Sequence, residues 1–247
     1  MGATRLEFRL RVVILAALVT LGFFSPWIES LGIGVRVPML VWLASVLDHD
    51  VGIPFAVAAP LVLVLGALLA ALAALLRVWA TAWLGPAVVN HGEMQSGAIT
   101  AEGPYRFLRN PLYLGSWLMF AAISLLMPVS GCIVSMALLT VFLFRLILGE
   151  EAFLVSAHGA QYRDYMAATP RLIPRLFAPR RPASHQPQWR RAVLAELNPI
   201  GIFCVFAFLS WSCNNWLMIQ GVLVSLGVSL VARALLPVRE TARESSE

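Results

Sequence analysis

The chain has 247 residues, of which 60% are hydrophobic and only 13% charged, with a mean hydropathy of +0.80, whereas a soluble domain carries about 25% charged residues. That composition excludes an ordinary soluble domain and indicates a protein embedded in a membrane. The net charge of +5 comes from 18 basic residues, all of them arginine, and arginines beside membrane spans mark the cytoplasmic face rather than a nucleic-acid site. Cys132, Cys204 and Cys213 lie in or beside apolar runs with no CxxC and no paired histidines, which indicates neither a disulfide framework nor a zinc site.

In chain order, Leu10 to Phe24 follows Arg5, Arg9 and Arg11 with no small-x-small cleavage site before Pro26-Trp27, and reads as a retained first span. Leu31 to Leu47 is apolar but interrupted by Arg36 and Pro38, which suits an interfacial or re-entrant helix. The remaining apolar runs are 54–84, 111–127, 131–148, 199–213 and 216–236. With the first run, 10–28, these give about six spans near the roughly 20-residue length that crosses a bilayer as a helix. They lack the alternation of a membrane barrel. The expected fold is therefore an all-α, polytopic transmembrane bundle.

An even number of spans puts both termini on one side. Arg5, Arg9 and Arg11 make the N-terminus basic, Glu29, Asp48 and Asp50 make the first loop acidic, and the loop 149–198 carries Arg163, Arg171, Arg175, Arg180, Arg181, Arg190 and Arg191. By the positive-inside rule the termini and the long loop are cytoplasmic. The prolines of 178–190 mark a linker, which divides the chain into an N-terminal span with an interfacial segment (1–53), a membrane core (54–177), a linker (178–198) and two further spans with a tail (199–247).

Polar chemistry gathers between Gly103 and Pro174. Met127-Pro128-Val129-Ser130-Gly131 is a turn signal, so the third and fourth spans form a hairpin that brings Gly103–Tyr113 next to Arg145–Glu151. A helix starting near Tyr105 would put Arg106, Arg109 and Tyr113 on one face. Any one of them could merely anchor a helix end at the interface; their density points further. Glu150-Glu151 would either close the fourth span, where a helix C-terminus needs a cation to compensate them, or open a new cytoplasmic helix. Arg145, Arg106, Arg109 or a cationic ligand could supply that compensation. Asp48-His49-Asp50 reads as an exposed acidic loop rather than a metal site. His91 and Glu93 lie in a loop near the motif.

Ile99-Thr100-x-x-Gly103-Pro104-Tyr105-x-x-x-Arg109-Asn110-Pro111-x-Tyr113-x-Gly115, then Glu150-Glu151-x-x-Leu154-x-x-x-His158-Gly159-x-x-Tyr162-x-x-Tyr165 and Pro170-Arg171-Leu172-Ile173-Pro174, resembles the isoprenylcysteine carboxyl methyltransferase and phospholipid methyltransferase superfamily over roughly 75–176. The resemblance implies an integral membrane methyltransferase with S-adenosylmethionine in a cytosol-facing pocket and a lipophilic acceptor entering from the bilayer. It implies cofactor contacts at Ile99, Thr100, Tyr105, Asn110, Pro111, Leu112, Tyr113, Glu150 and Glu151. It also implies catalytic parts for Arg109, Arg145 and Glu150, with Arg145 offset by about one position from the family's acceptor-binding arginine.

Asn110 stands where the family usually has His. An amide hydrogen-bonds but does not titrate, which favours an acceptor that is already a nucleophile at neutral pH, such as a carboxylate on an isoprenylcysteine-like or other lipid-linked substrate. The alternatives are a phospholipid N-methyltransferase, an NADPH-dependent sterol-type reductase carrying a similar Arg-x-Pro-x-Tyr-x-Gly element, and a non-catalytic protein that keeps the fold.

Overall fold

The computed structural model describes residues 2–24, 37–85, 99–175, 177, 186–212 and 214–235. Readings that concern Pro26-Trp27, His91, Glu93, the proline-rich stretch 178–185 and Cys213 lie outside the described residues. The helices are α1 (Arg5–Arg9), α2 (Arg11–Phe23), α3 (Met39–Val51), α4 (Phe55–Leu84), α5 (Pro111–Ser124), α6 (Val129–His158), α7 (Ala160–Ala168), α8 (Trp189–Ala195), α9 (Leu197–Leu209) and α10 (Asn215–Leu235). The described residues contain no strand, only an isolated bridge between Pro38 and Pro128, so the fold is all-α.

Prolines set where several of these helices begin. Pro38, Pro54 and Pro128 immediately precede α3, α4 and α6, and Pro111 is the first residue of α5. At a helix start the missing N–H costs no hydrogen bond and the fixed φ is already helical. Gly52 ends α3 in the left-handed region at φ +76°, where an L side chain is disfavoured.

Among the described residues, three helices are long and apolar enough to cross a membrane: α4, α6 and the Asn215–Ala232 part of α10, with the bent pair α8 and α9 making a fourth if taken as one span. The apolar helices α2 and α5 have 13 and 14 residues, about 20 Å at 1.5 Å per residue, against roughly 30 Å of hydrocarbon. Sequence length alone therefore credited the run 111–127 with more helix than the structure gives it, while residues 25–28 of the run 10–28 lie outside the described residues. The interfacial candidate becomes the 13-residue α3, which packs back on α4.

Small residues let these helices approach. Ala70, Ala73, Ala74, Ala80 and Ala82 of α4 are buried, and a Cβ on Gly66 would lie 2.6 Å from the Phe206 ring of α9 and 3.0 Å from Leu125. In lipid, where water provides no drive between helices, this close fit is the main source of helix association. A Cβ on Gly115 of α5 would meet Arg77 Cγ at 2.5 Å. The pairs Gly66–Leu125 and Arg77–Gly115 show α4 and α5 running antiparallel. One end of the bundle holds the α5–α6 turn, where Met39 and Leu40 donate backbone N–H bonds to Met127 and Leu125 and Asn215 Nδ2 donates to the Leu126 carbonyl. Residues 55–65, about 16 Å of helix, project beyond that turn with α3. The other end gathers the N-terminus, the end of α4, the start of α5 and the last turns of α6; this is the polar end.

The C-terminal hairpin of α9 and α10 is latched to the polar end by Glu196, which lies at the bend between α8 and α9 and has no solvent exposure. It accepts from Arg77 Nε at 2.6 Å, Arg77 Nη2 at 3.0 Å and Thr81 Oγ1 at 2.6 Å. Glu196→Ala leaves the Arg77 guanidinium, itself only 15% exposed, without its counter-charge, and breaking a buried pair from one side costs about 3–5 kcal/mol. Unfolding of the detergent-solubilised protein should show a loss of that order, and the double change Arg77→Met/Glu196→Leu should lose less.

Candidate functional site

Residues 99–110 lead into α5 as a fixed loop. Gly103 opens a 3-10 turn, Gly103–Arg106, at φ +55°, and a Cβ there would run into the Trp83 indole. Tyr105 and Leu108 are buried and Phe107 packs on Trp79 with ring centroids 6.0 Å apart. The expected α-helix from Tyr105 is not formed. The i to i+4 bond from Leu108 to Pro104 goes no further, because Arg109 instead donates its N–H to Pro170 at 2.9 Å and the residue before Pro111 is pushed out of the helical region. Arg106, Arg109 and Tyr113 therefore do not share a face. Arg106 stacks 4.4 Å over the Phe107 ring, Arg109 turns toward Glu151, and Tyr113 turns toward Glu150.

A second segment clamps this loop. Tyr165 Oη donates to the Tyr105 carbonyl at 2.7 Å, Arg109 Nη1 to the Met166 carbonyl at 3.3 Å, and the Arg175 N–H to Phe107 at 2.9 Å. Gly159, at φ +57°, breaks the chain between α6 and α7 and turns it back toward the loop. The stretch through His158, Tyr162 and Tyr165 is thus divided between two helices.

Helix α6 passes through Glu150 and Glu151 without interruption. Both sequence expectations for these acids, a helix end and a helix start, are corrected: they lie mid-helix, so neither terminus dipole acts on them. Compensation comes from side chains. Glu151 is 3% exposed; its Oε1 accepts from Asn110 Nδ2 at 3.1 Å and pairs with Arg109 Nε at 3.3 Å, and its Oε2 accepts from Arg171 Nη2 at 2.8 Å and Nε at 3.0 Å. The hydrogen bonds to Glu151 raise the Arg171 pKa further above its ordinary value. Asn110 Nδ2 also donates to the Arg171 carbonyl at 3.2 Å, so the amide nitrogen is used within this knot.

Glu150 faces a different group, accepting from Tyr113 Oη at 2.7 Å. Near it lies Tyr105, whose hydroxyl is buried with no hydrogen-bond partner among the described residues. Burial, then the Glu150 charge, holds the Tyr105 phenol protonated well above its ordinary range. The Pro111-Leu112 turn carries the Leu112 carbonyl to Ser116 Oγ at 2.9 Å and Arg77 Nη1 at 3.4 Å. Ile99 and Thr100 are half-buried at the start of the loop.

Arg145 does not reach the two glutamates. Its Nη2 donates to both carboxylate oxygens of Glu7 at 2.9 Å. Sequence reasoning missed Glu7, Arg11 and the cation role of Arg171. The last was signalled by the Pro170-Arg171 motif, but nothing local pairs Glu7 with a residue 138 positions away.

The family model described as phospholipid methyltransferase matches residues 61–161. The match runs from within α4 to the start of α7 and agrees with the superfamily that the motifs resemble. No curated protein and no solved structure matches the chain.

Glu151→Gln removes the shared counter-charge of Arg109 and Arg171 and should cost about 3–5 kcal/mol in unfolding experiments; Arg171→Ala should cost less, since that side chain is 34% exposed. The Glu7 carboxyl is held at about 2 instead of 4.5, first by the Thr4 backbone N–H and then by Arg145. A lowered folded-state pKa gives stability that is present above the unfolded value and is lost as pH falls through about 2. Spin labels at Arg5 and Ser156 should keep their separation from pH 7 to about pH 4 and lose it toward pH 2.

Proposed function

We propose, from the premise that residues 61–161 are a domain of the phospholipid methyltransferase family, that this membrane protein transfers a methyl group from S-adenosylmethionine to a lipophilic acceptor at the polar, arginine-rich end, and that this end faces the cytoplasm. The observation that carries the reading is the division of labour between the paired acids. Glu151 is consumed by Asn110, Arg109 and Arg171, whereas Glu150 is turned to Tyr113 beside an unpartnered, buried Tyr105 hydroxyl. A carboxylate, two phenols and a fixed Pro-initiated turn suit a ligand bearing an ammonium, ribose hydroxyls and an adenine.

When bound, the cofactor supplies an electrophilic methyl on a sulfonium. The protein's part is placement and exclusion of water. Glu150 would meet the ammonium or a ribose hydroxyl, Tyr105 Oη would donate to the cofactor, and Tyr113 holds the Glu150 carboxylate in position. Ile99, Thr100, Pro111 and Leu112 would contribute the remaining cofactor contacts. Asn110 and Glu151 are positioning residues that fix the loop, and Arg109 acts through Glu151. Arg145, held by Glu7, acts through the N-terminal segment.

Both N–H groups of the Asn110 amide are spent inside the knot, on Glu151 and on the Arg171 carbonyl. No titratable side chain stands in that position to take a proton, and this favours an acceptor needing no deprotonation, a lipid-linked carboxylate. The matching family model points instead to phospholipid amines, and one experiment separates them. Membranes containing the protein are incubated with methyl-labelled cofactor. Label released as methanol by alkali supports the carboxylate; alkali-stable label in phospholipid overturns it.

S-adenosylhomocysteine should raise the thermal midpoint of the purified protein while NADPH leaves it unchanged. Glu150→Gln should weaken S-adenosylhomocysteine binding about tenfold, equivalent to roughly 1.4 kcal/mol. Stabilisation by NADPH alone would assign the chain to a reductase. Unaltered binding by Glu150→Gln would remove Glu150 from the cofactor site.

A further inference from the structure

The first eleven residues precede the family match, yet they are built against the polar end. Thr4 and Glu7 form a reciprocal capping box, with Thr4 N–H to Glu7 Oε2 at 2.6 Å and Glu7 N–H to Thr4 Oγ1 at 3.2 Å, which gives α1 a defined start. Ala3 donates its N–H to the Arg145 carbonyl at 2.8 Å. A Cβ on Gly2 would lie 2.8 Å from the Gly149 nitrogen, and one on Gly149 would lie 2.9 Å from the Ala3 carbonyl. Both contacts are with backbone, which cannot swing aside, so the two glycines allow a backbone-to-backbone approach at the residue immediately before Glu150. The Glu7–Arg145 pair closes the same strap one helical turn further back on α6.

The strap also delivers a charge. After Phe8, whose ring is buried in the core, the chain bends at Leu10. Arg11 then folds back, with its guanidinium carbon 4.4 Å over the Phe8 ring and Nη1 donating to the Phe8 carbonyl at 3.3 Å. There the Arg11 charge acts on both Glu150 and Tyr113. None of Arg109, Arg145 and Arg171 is spent on Glu150: they pair with Glu151, Glu7 and Glu151 respectively.

We propose that the strap of residues 2–11 is a working part of the site, in which the Glu7–Arg145 pair and the Gly2–Gly149 contact dock the strap so that Arg11 becomes the positioning cation for the Tyr113–Glu150 pair. The effect on cofactor binding rests on the function proposed above, but the docking and its effect on Glu150 do not. Arg11 adds a positive charge on the side of the Tyr113–Glu150 pair, and the docked strap limits access to Glu150.

The test reads Glu150 directly. The full-length protein in detergent is treated with a water-soluble carbodiimide and an amine, and labelling at Glu150 is quantified by mass spectrometry. Arg11→Met, Glu7→Gln and Gly2→Val should each raise Glu150 labelling several-fold, while the charge-swapped Glu7→Arg/Arg145→Glu protein and Arg11→Lys should return it toward the parent. Thermal midpoints of all variants are measured, and a variant that lowers the midpoint without raising Glu150 labelling counts against the proposal. Unchanged labelling in Gly2→Val and Glu7→Gln overturns it.

Binding of S-adenosylhomocysteine supplies the second arm, with Arg11→Met expected to weaken it roughly five- to tenfold and Arg11→Lys to restore most of it. Weakening in Arg11→Met supports the proposal, and intact binding in Arg11→Met refutes the part that concerns the cofactor. If the parent protein does not bind S-adenosylhomocysteine, the methyltransferase reading and this cofactor effect fall together, and the labelling arm still decides the docking.

Discussion

The polar end depends on one buried carboxylate. Glu151 sits in the body of a long apolar helix with 3% of its surface exposed, and an ionised group there must be paired and hydrogen-bonded or it is prohibitively costly. The partners come from two other stretches of chain, Arg109 and Asn110 from the loop before α5 and Arg171 from the segment after α7. Satisfying one charge therefore fixes three segments at once. The backbone bonds Arg109 to Pro170 and Arg175 to Phe107 complete the knot, and the loop 103–110 is held without any regular helix of its own.

The neighbouring carboxylate gains its freedom from this arrangement. Successive residues on a helix point about 100° apart, so Glu150 and Glu151 cannot both face the same partners. With Arg109, Asn110 and Arg171 drawn to Glu151, Glu150 accepts from the Tyr113 phenol and lies in the field of Arg11. A paired-acid motif thus resolves into one residue that builds and one that is available to a ligand. Arg109, to which the resemblance gives a catalytic part, and Asn110, to which it gives a cofactor contact, are both partners of Glu151.

What was legible in the sequence follows from how strongly local chemistry constrains structure in lipid. Uninterrupted apolar runs have to be helices because no water satisfies a bare backbone, so 54–84 was readable to within a residue of α4. Gly, Pro and charge density marked the loop Gly103–Tyr113 and the acids as a site. The failures share a cause. The α-helix expected from Tyr105 gave way to a 3-10 turn because Pro170 competes for the Arg109 N–H. The break expected near Glu150 did not occur because compensating cations arrive from residues 42 positions earlier and 20 later. Local rules of helix termination do not see such partners. Conversely, Arg11 and Glu196 carry no motif and Glu7 only the local capping box with Thr4, so only packing reveals their distant partners.

The parts of the chain outside the family match are therefore not appendages. Arg77 lies within the matched residues and holds the first turn of α5 through Ser116 Oγ at 2.7 Å and the Leu112 carbonyl, but its charge is balanced by Glu196 from the C-terminal hairpin. Arg145 also lies within the match and is balanced by Glu7 from the N-terminal strap. In both cases an arginine of the core takes its carboxylate from an added segment, on opposite sides of the α5–α6 pair. The Arg77–Glu196 pair is buried, so losing its carboxylate is costly, whereas the Arg145–Glu7 pair is about a third exposed and holds its segment more weakly; in both, a flanking segment supplies the carboxylate. The N-terminal strap and the C-terminal hairpin are thereby coupled to the geometry of Tyr113, Glu150 and Tyr105 through charge rather than through contact with a ligand, which makes these flanks the places where sequence can change the site without touching its motif.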